Sequence, residues 1–148
     1  MCIRDSDEST GLLWAVRNVL KDWDDAKQDC EDFVACGRSD WRMPNIDEYR
    51  EVIVGCAATM IDGVCPAHDG MYSGCWDTTC DSCPLNMGPD GCYAVPGLPG
   101  ACWPGPQQFF WSSSTCAYPM TVSFMDGSIS SYDKPTVSKP FYCVSDVL

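Results

Sequence analysis

The sequence predicts an α+β fold class for a single domain with a long irregular insertion. Three observations lead to this prediction: β-signals near both ends of the chain, two amphipathic helix signals between them, and a cysteine-rich stretch that lacks periodicity. A chain of 148 residues can bury one sizeable core. We therefore expect one domain over 7–148, with an insertion at about 56–106.

The first strand and the first helix follow each other closely. Residues 10–16 are apolar and β-prone, which is typical of a buried strand. Asp22 is a candidate N-cap for the helix that follows, and Gly37 is its expected stop. The apolar face of this helix consists of Trp23, Ala26, Cys30 and Phe33.

The second helix, at about 46–54, begins with a capping signature. Pro44 disfavours the helical conformation of the residue before it, so the chain enters the corner extended. Asn45 can then accept from a free amide of the first turn, while Glu48 reaches back to the N-cap amide. This spacing predicts a capping box with a structural role for both residues.

Trp41 and Arg42 precede this capping box, and we interpret both as structural. Trp41 is large enough to fill the gap between two elements. Arg42 has Asp40 and Asp47 nearby in sequence, and we expect these carboxylates to hold its guanidinium.

The β-signals return after the insertion. Candidate strands lie at 109–113, 120–124 and 128–132, and 141–144 closes the chain. Asp126-Gly127 predicts a two-residue type I′ turn between two of them.

Charge limits the classes of partner. The formal net charge is −12, which argues against nucleic acid and anionic membranes. Every Lys and Arg lies in 4–50 or 134–139, so residues 51–133 carry acids and no cation. A cation, a neutral glycan or a basic partner would suit that surface better than an anion.

The twelve cysteines are scattered, without the spacing of a zinc ribbon, and so predict disulfides in an oxidising compartment. We expect a secreted or cell-surface protein with no membrane insertion, because no run of eighteen apolar residues occurs. The chain also lacks a leader pattern, which indicates a mature form or part of a larger parent protein. Residues 1–6 continue no pattern, and we interpret them as a non-native or scar segment. Without Cys2, one thiol is left free or pairs elsewhere.

Six separated motifs resemble the Lcl-type C-terminal domain, a C-type-lectin-like family, over roughly 9–56 and 108–145. They are Thr10-Gly11-Leu12-x-Trp14, Trp23-x-x-Ala26-x-x-x-Cys30, Asp40-Trp41-Arg42-Met43-Pro44-x-x-x-Glu48-Tyr49, Phe110-Trp111-Ser112-Ser113-Ser114, Val122-x-Phe124-x-Asp126-Gly127 and Tyr142-Cys143-Val144. The resemblance implies a C-type-lectin-like fold, in which two helices pack on a small twisted antiparallel sheet and the terminal strands are neighbours. It also implies a disulfide between Cys30 and Cys143.

Aromatic residues of the insertion are candidate ligand contacts. Trp76 and Trp103, with Tyr93 and the neighbouring Asp77, could form a platform for a sugar ring or a protein surface. Tyr72 lies close in sequence. The same rings could equally form a small core of the insertion.

Metal binding is a weaker prediction. The Glu-Pro-Asn, Gln-Pro-Asp and Trp-Asn-Asp signatures of calcium-dependent lectins are absent. Calcium could still take oxygen ligands from Asp77, Asp81, Asn86 and Asp90, although solvated loop acids are the simpler interpretation. Zinc is a further alternative, through Cys75, Cys80, Cys83 and Cys92.

Catalysis is not expected. Cys80 and Cys83 have the spacing of a redox pair but lie outside a βαβ unit, so framework disulfides are favoured. His68 is the only histidine and is expected to be a solvated loop residue. A formylglycine-generating-enzyme-like oxidase using Cys75 and Cys80 is an alternative, although the surrounding motifs of those enzymes are absent.

We therefore expect a non-enzymatic binding module that recognises a glycan or an extracellular protein through its loop region. One alternative is a structural subunit of an extracellular fibre or adhesin, which would form a homo-oligomer. Another is a ligand-binder that varies over 111–142.

Overall fold

The structure is a computed structural model that describes residues 2–4, 11–81, 83–84, 88, 91–98, 100–102, 109–133 and 135–146. Its strands are β1 (Cys2–Arg4), β2 (Leu12–Lys21), β3 (Phe109–Cys116), β4 (Tyr118–Ser123), β5 (Ile129–Ser131) and β6 (Lys139–Asp146). Its helices are α1 (Trp23–Glu31) and α2 (Ile46–Val52). We call the strands and the two helices the frame, and residues 56–106 the insertion.

The strands form one mixed sheet in the order β1-β2-β6-β3-β4-β5. Neighbours pair antiparallel except β3 and β6, which are parallel at Trp111 and Phe141. The expectation of a purely antiparallel sheet was therefore wrong at its centre. The α+β class is confirmed, and the first long strand and the last strand are neighbours.

Each face of the sheet carries one helix. Side chains alternate across a strand, so Trp14 faces the α2 side and Ala15 the α1 side. Trp14 lies 5.6 Å from Tyr49 and 5.7 Å from Tyr142 between ring centroids, in tilted and edge-on contacts. Within the described residues, neither helix is long and apolar enough to cross a membrane.

Both helix starts match the sequence prediction. The Asp22 side chain accepts from the Asp25 amide at 2.9 Å. In the second helix, Asn45 Oδ1 accepts from the Glu48 amide and Glu48 Oε1 accepts from the Asn45 amide, both at 2.9 Å. The capping box is thus confirmed.

The first helix stops earlier than expected. It ends at Glu31, and Asp32 closes it by donating to carbonyls of the last turn. Gly37 instead belongs to a tight turn, in which Ala35 and Arg38 form an isolated bridge and Gly37 has a φ of +73°. A glycine with positive φ marks a turn here, not a helix stop.

Two further features differ from the sequence prediction. The turn between β4 and β5 spans 124–127, because the Ser123 amide donates to the Ser128 carbonyl. A two-residue turn at Asp126-Gly127 was therefore wrong. Cys2–Arg4, part of the segment expected to lie outside the domain, form an edge strand paired with β2.

The corner that carries Trp41 and Arg42 is structural, but Arg42 has other partners than expected. Its guanidinium donates to both carboxylate oxygens of Glu48, at 2.6 and 2.7 Å, and to Asp146 at 3.2 Å. Glu48 thus serves the capping box and the ion pair together, and it raises the pKa of Arg42.

The two expected partners of Arg42 bind elsewhere. Hydrogen bonds from Arg38, and then from Ser145, lower the pKa of Asp40 to about 2. Asp47 accepts from the Asp69 amide at 3.2 Å and lies 3.1 Å from His68 Nδ1.

Trp41 fills a gap as predicted. It is buried against α1 together with Met43, Trp111 and Phe141. The Cys30–Cys143 disulfide crosses the same layer with a Cα separation of 5.4 Å, which confirms the pairing that the resemblance implied.

Candidate functional site

The insertion is attached to the frame through backbone hydrogen bonds. The Tyr93 amide donates to the Phe124 carbonyl at 2.7 Å, and the Val95 amide donates to the Val52 carbonyl at 3.0 Å. The Cys83 amide donates to the Asp126 carbonyl at 2.7 Å. The insertion therefore packs against the end of α2 and the turn between β4 and β5.

Arg50 of α2 organises the first part of the insertion. Its side chain is fully buried. The guanidinium donates to five backbone carbonyls: Thr59 (3.0 Å), Met60 (2.9 Å), Gly63 (3.2 Å), Cys65 (2.9 Å) and Ala67 (2.6 Å). Burial lowers the pKa of Arg50, against the charges of Asp47 and Asp62, but a guanidinium remains protonated. One cation thus provides donors for five main-chain carbonyls between residues 59 and 67.

Disulfides fix the rest of the insertion. Within it, Cys56 pairs with Cys83, Cys65 with Cys80, and Cys92 with Cys102. Cys75 pairs with Cys116 at the end of β3, which ties the insertion to the sheet. Five disulfides therefore join described residues, and Cys36 is disulfide-bonded as well. No free cysteine occurs in the part of the chain that the structure describes.

This pairing replaces the alternative uses of the cysteines. Cys80 and Cys83 bond to different partners, so they form no redox pair. Cys75 and Cys80 likewise lie in separate disulfides, so the close pair required by the oxidase alternative does not form. The zinc set was wrong, because each of its four thiols is in a disulfide.

Trp76 is a predicted aromatic contact that remains partly exposed. Its side chain retains 42% of its accessible surface. Its indole N–H donates to the Ile129 carbonyl at 2.8 Å, so the ring is held against the edge strand β5. A ring held by its polar atom presents its apolar surface with little loss of rotamer freedom on binding.

Two exposed tyrosines lie on the chain segments that carry Cys75 and Cys116. Tyr72 is 88% exposed four residues before Trp76, and Tyr118 is 50% exposed at the start of β4. The Cys75–Cys116 disulfide, with a Cα separation of 6.1 Å, joins the two segments. We call Tyr72, Trp76 and Tyr118 the aromatic patch. The sequence interpretation omitted Tyr118, because only the Cys75–Cys116 disulfide links its chain segment to that of Trp76.

The other two aromatic residues predicted as contacts do not join the patch in the structure. Tyr93 belongs to the main core, and its hydroxyl donates to the Pro84 carbonyl at 2.6 Å. The residue is 97% buried and cannot contact a surface ligand, so this prediction was wrong. Trp103 lies outside the described residues.

The acids near the patch have local structural roles. Asp77 caps a 3-10 helix (Thr78–Cys80) by accepting from the Thr79 amide at 2.8 Å, and Asp81 ends that helix. Asp90 and Asn86 lie outside the described residues. In the described part of the chain, no three His, Cys, Asp or Glu side chains converge as a metal site. The exposed Asp77 still places negative charge next to Trp76.

Two serines of β3, Ser112 and Ser114, form internal side-chain hydrogen bonds. Ser112 Oγ donates to the Met120 carbonyl at 2.8 Å, and Ser114 Oγ donates to Asp69 Oδ1 at 2.7 Å. Ser114 also accepts from the Ile46 amide at 2.9 Å. His68, the partner of Asp47, is a half-exposed loop residue as predicted.

One comparison with known proteins returned a match. A family model described as the Lcl C-terminal domain matches residues 5–145, which include the whole insertion and the frame from β2 to all but the last residue of β6. No curated protein matches the chain.

Proposed function

The chain belongs to the Lcl C-terminal domain family, and from this membership we propose that it is a non-enzymatic extracellular binding domain. Its ligand is a glycan or an extracellular protein, held at the aromatic patch. We also propose that the frame is C-type-lectin-like, with the insertion as its long loop region. Five disulfides fit a small domain of an oxidising compartment.

The observation that carries the proposal is the exposure of the aromatic patch on a cross-linked support. Tyr118 belongs to the sheet, Trp76 is hydrogen-bonded to it, and the Cys75–Cys116 disulfide joins the two chain segments. Aromatic faces supply contact area for a sugar ring or an apolar side chain. Because such a site is ordered before binding, little conformational entropy is lost on association.

Charge favours neutral or cationic ligands at this patch. The sequence has no Lys or Arg from 51 to 133, and the only cation that enters the insertion from α2, Arg50, is buried. An anionic ligand would therefore meet no compensating charge from these residues.

A glycan array containing neutral, amine-bearing and sulfated sugars tests the proposal. The protein should bind neutral or amine-bearing glycans, and Trp76→Ala should weaken this binding by at least about tenfold, as loss of a central aromatic contact does. Val34→Ala is the matched control, because Val34 is 71% exposed but lies after α1, outside the patch. Equal binding by Trp76→Ala and the wild type would contradict the site.

Assembly into a fibre or adhesin is a second candidate, favoured by one observation. β1 pairs with β2 only at residues 13–15, while Val19 and Leu20 near the other end of β2 are 41% and 43% exposed. Light scattering over a concentration series would detect an oligomer. Its loss in Val19→Ser/Leu20→Ser, but not in Tyr72→Ser, would assign assembly to the β2 edge.

A further inference from the structure

Lys139 occupies an aromatic cage at the start of β6. Its Nζ lies 4.0 Å from the ring centroid of Tyr132, 5.5 Å from that of Trp111 and 5.6 Å from that of Phe109. Trp111 is fully buried, and its indole N–H donates to the Lys21 carbonyl at 3.0 Å. The cage is therefore built into the end of the sheet.

The cage offers Lys139 a charge interaction but no hydrogen-bond acceptor. An ammonium carries three N–H donors, and those of Lys139 have no carboxylate or carbonyl partner among the described residues. Lys21, which pairs with Lys139 across β2 and β6, has its own ion-pair partner: its Nζ lies 3.4 Å from Asp29 Oδ1 of α1. Lys139 is thus a half-buried amine surrounded by rings.

Two effects act on the charge of this amine in opposite directions. Burial lowers the pKa of Lys139, because a desolvated ammonium loses its hydration. The ring faces favour a cation, most strongly Tyr132 at 4.0 Å. A cation with fewer N–H donors than an ammonium would keep the attraction to the ring faces. It would also leave fewer N–H groups without a hydrogen-bond acceptor.

We propose that Lys139 is a covalent capture site for small aldehydes, which include the open-chain forms of reducing sugars. The neutral amine adds to the carbonyl carbon, and the carbinolamine loses water to give an imine. The imine nitrogen takes up a proton from solvent and becomes an iminium with one N–H donor. The cage of Phe109, Trp111 and Tyr132 then faces this cation.

Reductive trapping on the full oxidised chain tests the proposal. The protein is incubated with glycolaldehyde and cyanoborohydride at pH 7, and peptide mass spectrometry follows Lys21, Lys27, Lys134 and Lys139. Lys139 should be modified at least about threefold faster than Lys27, since a desolvated amine has a larger neutral fraction. Lys27 is the internal comparison, because it contacts one ring, Trp23, at 4.2 Å.

Two controls separate the cage from general exposure. Tyr132→Ser opens the cage and should bring the rate at Lys139 down to that at Lys27, with the circular dichroism spectrum unchanged. In reduced, urea-unfolded protein the four lysines should react at similar rates. Modification of Lys139 no faster than Lys27 in the folded protein would overturn the proposal, because the rings would then hold the ammonium charged.

Discussion

The frame and the insertion are ordered by different interactions. In the frame, a paired sheet and two capped helices bury Trp14, Tyr49, Trp111 and Tyr142. The insertion contains only a short 3-10 helix as regular structure among its described residues, and disulfides and Arg50 hold it together. The difference shows that a long irregular segment can be fixed in place without paired β-strands or a large hydrophobic core of its own.

Removal of one disulfide from each region should give the largest difference between the frame and the insertion in the free energy of unfolding. Cys30→Ala/Cys143→Ala opens a link between residues 113 positions apart in the frame, and should lower the free energy of unfolding by about 4–5 kcal/mol in the chain-entropy model. Cys65→Ala/Cys80→Ala opens a link of 15 positions in the insertion, and should cost about 3 kcal/mol. Urea unfolding measures both. A larger loss from the second pair would reverse the comparison.

The next largest effect is expected at Arg50. Arg50→Met leaves five carbonyls, three of them in buried hydrogen bonds, without their donor, and should cost about 3–4 kcal/mol. Hydrogen exchange should rise first at residues 57–67. Lys27→Met, a change at a cation of the frame, should cost less than about 1 kcal/mol. Unchanged exchange over 57–67 would show that the disulfides alone order this segment.

Gly127 tests the contact between the regions. A Cβ at this position would lie 2.8 Å from Cys56 Cβ and 2.9 Å from Cys56 Sγ, at a φ of +71°. Gly127→Ala should therefore cost about 2–3 kcal/mol, which combines backbone strain with overpacking. Gly37→Ala is the matched control, because its φ is +73° with nothing within 4 Å, so only the strain of about 1–2 kcal/mol applies. Equal melting temperatures would contradict the close contact.

Acid should affect the frame slightly, through Asp40. Its pKa falls from 3.8 to about 2 in the folded protein, so its stabilising contribution is complete above pH 3.8 and is lost as the pH falls towards 2. Asp40→Asn should give a flatter stability profile across that interval, because the variant lacks this contribution at pH 7 and equals the wild type near pH 2. Melting curves between pH 2 and 5 would show this. An identical slope in both proteins would assign acid sensitivity to other carboxylates.

Local sequence signals predicted most of the frame. Asn45 and Glu48 fixed the start of α2, and Asp22 fixed the start of α1, because a capping interaction involves residues only three positions apart. Local spacing did not identify the partner of Arg42, which is Glu48, the residue directly after the expected Asp47. The turn after β4 was also mistaken, since the register of a hairpin depends on packing of both strands.

The site was predicted only in part, because its geometry depends on long-range pairing. Trp76 was identified from residue type, but the segment that carries Tyr118 is linked to it only through the Cys75–Cys116 disulfide. Spacing alone cannot assign such a pair among twelve cysteines. One sequence signal could have pointed to the role of Arg50: it is the last Lys or Arg before residues 51–133, which contain neither.

The way in which Arg50 binds the insertion has a consequence for protein engineering. Its guanidinium contacts main-chain oxygens only, so most side chains over 59–67 contribute nothing to that interaction. Val64 and Ile61 are exposed there and can be randomised, whereas Gly63 cannot, because a Cβ would collide with the carbonyls of Ala57 and Ala58. This segment is therefore suited to libraries of grafted recognition sequences on an unchanged backbone.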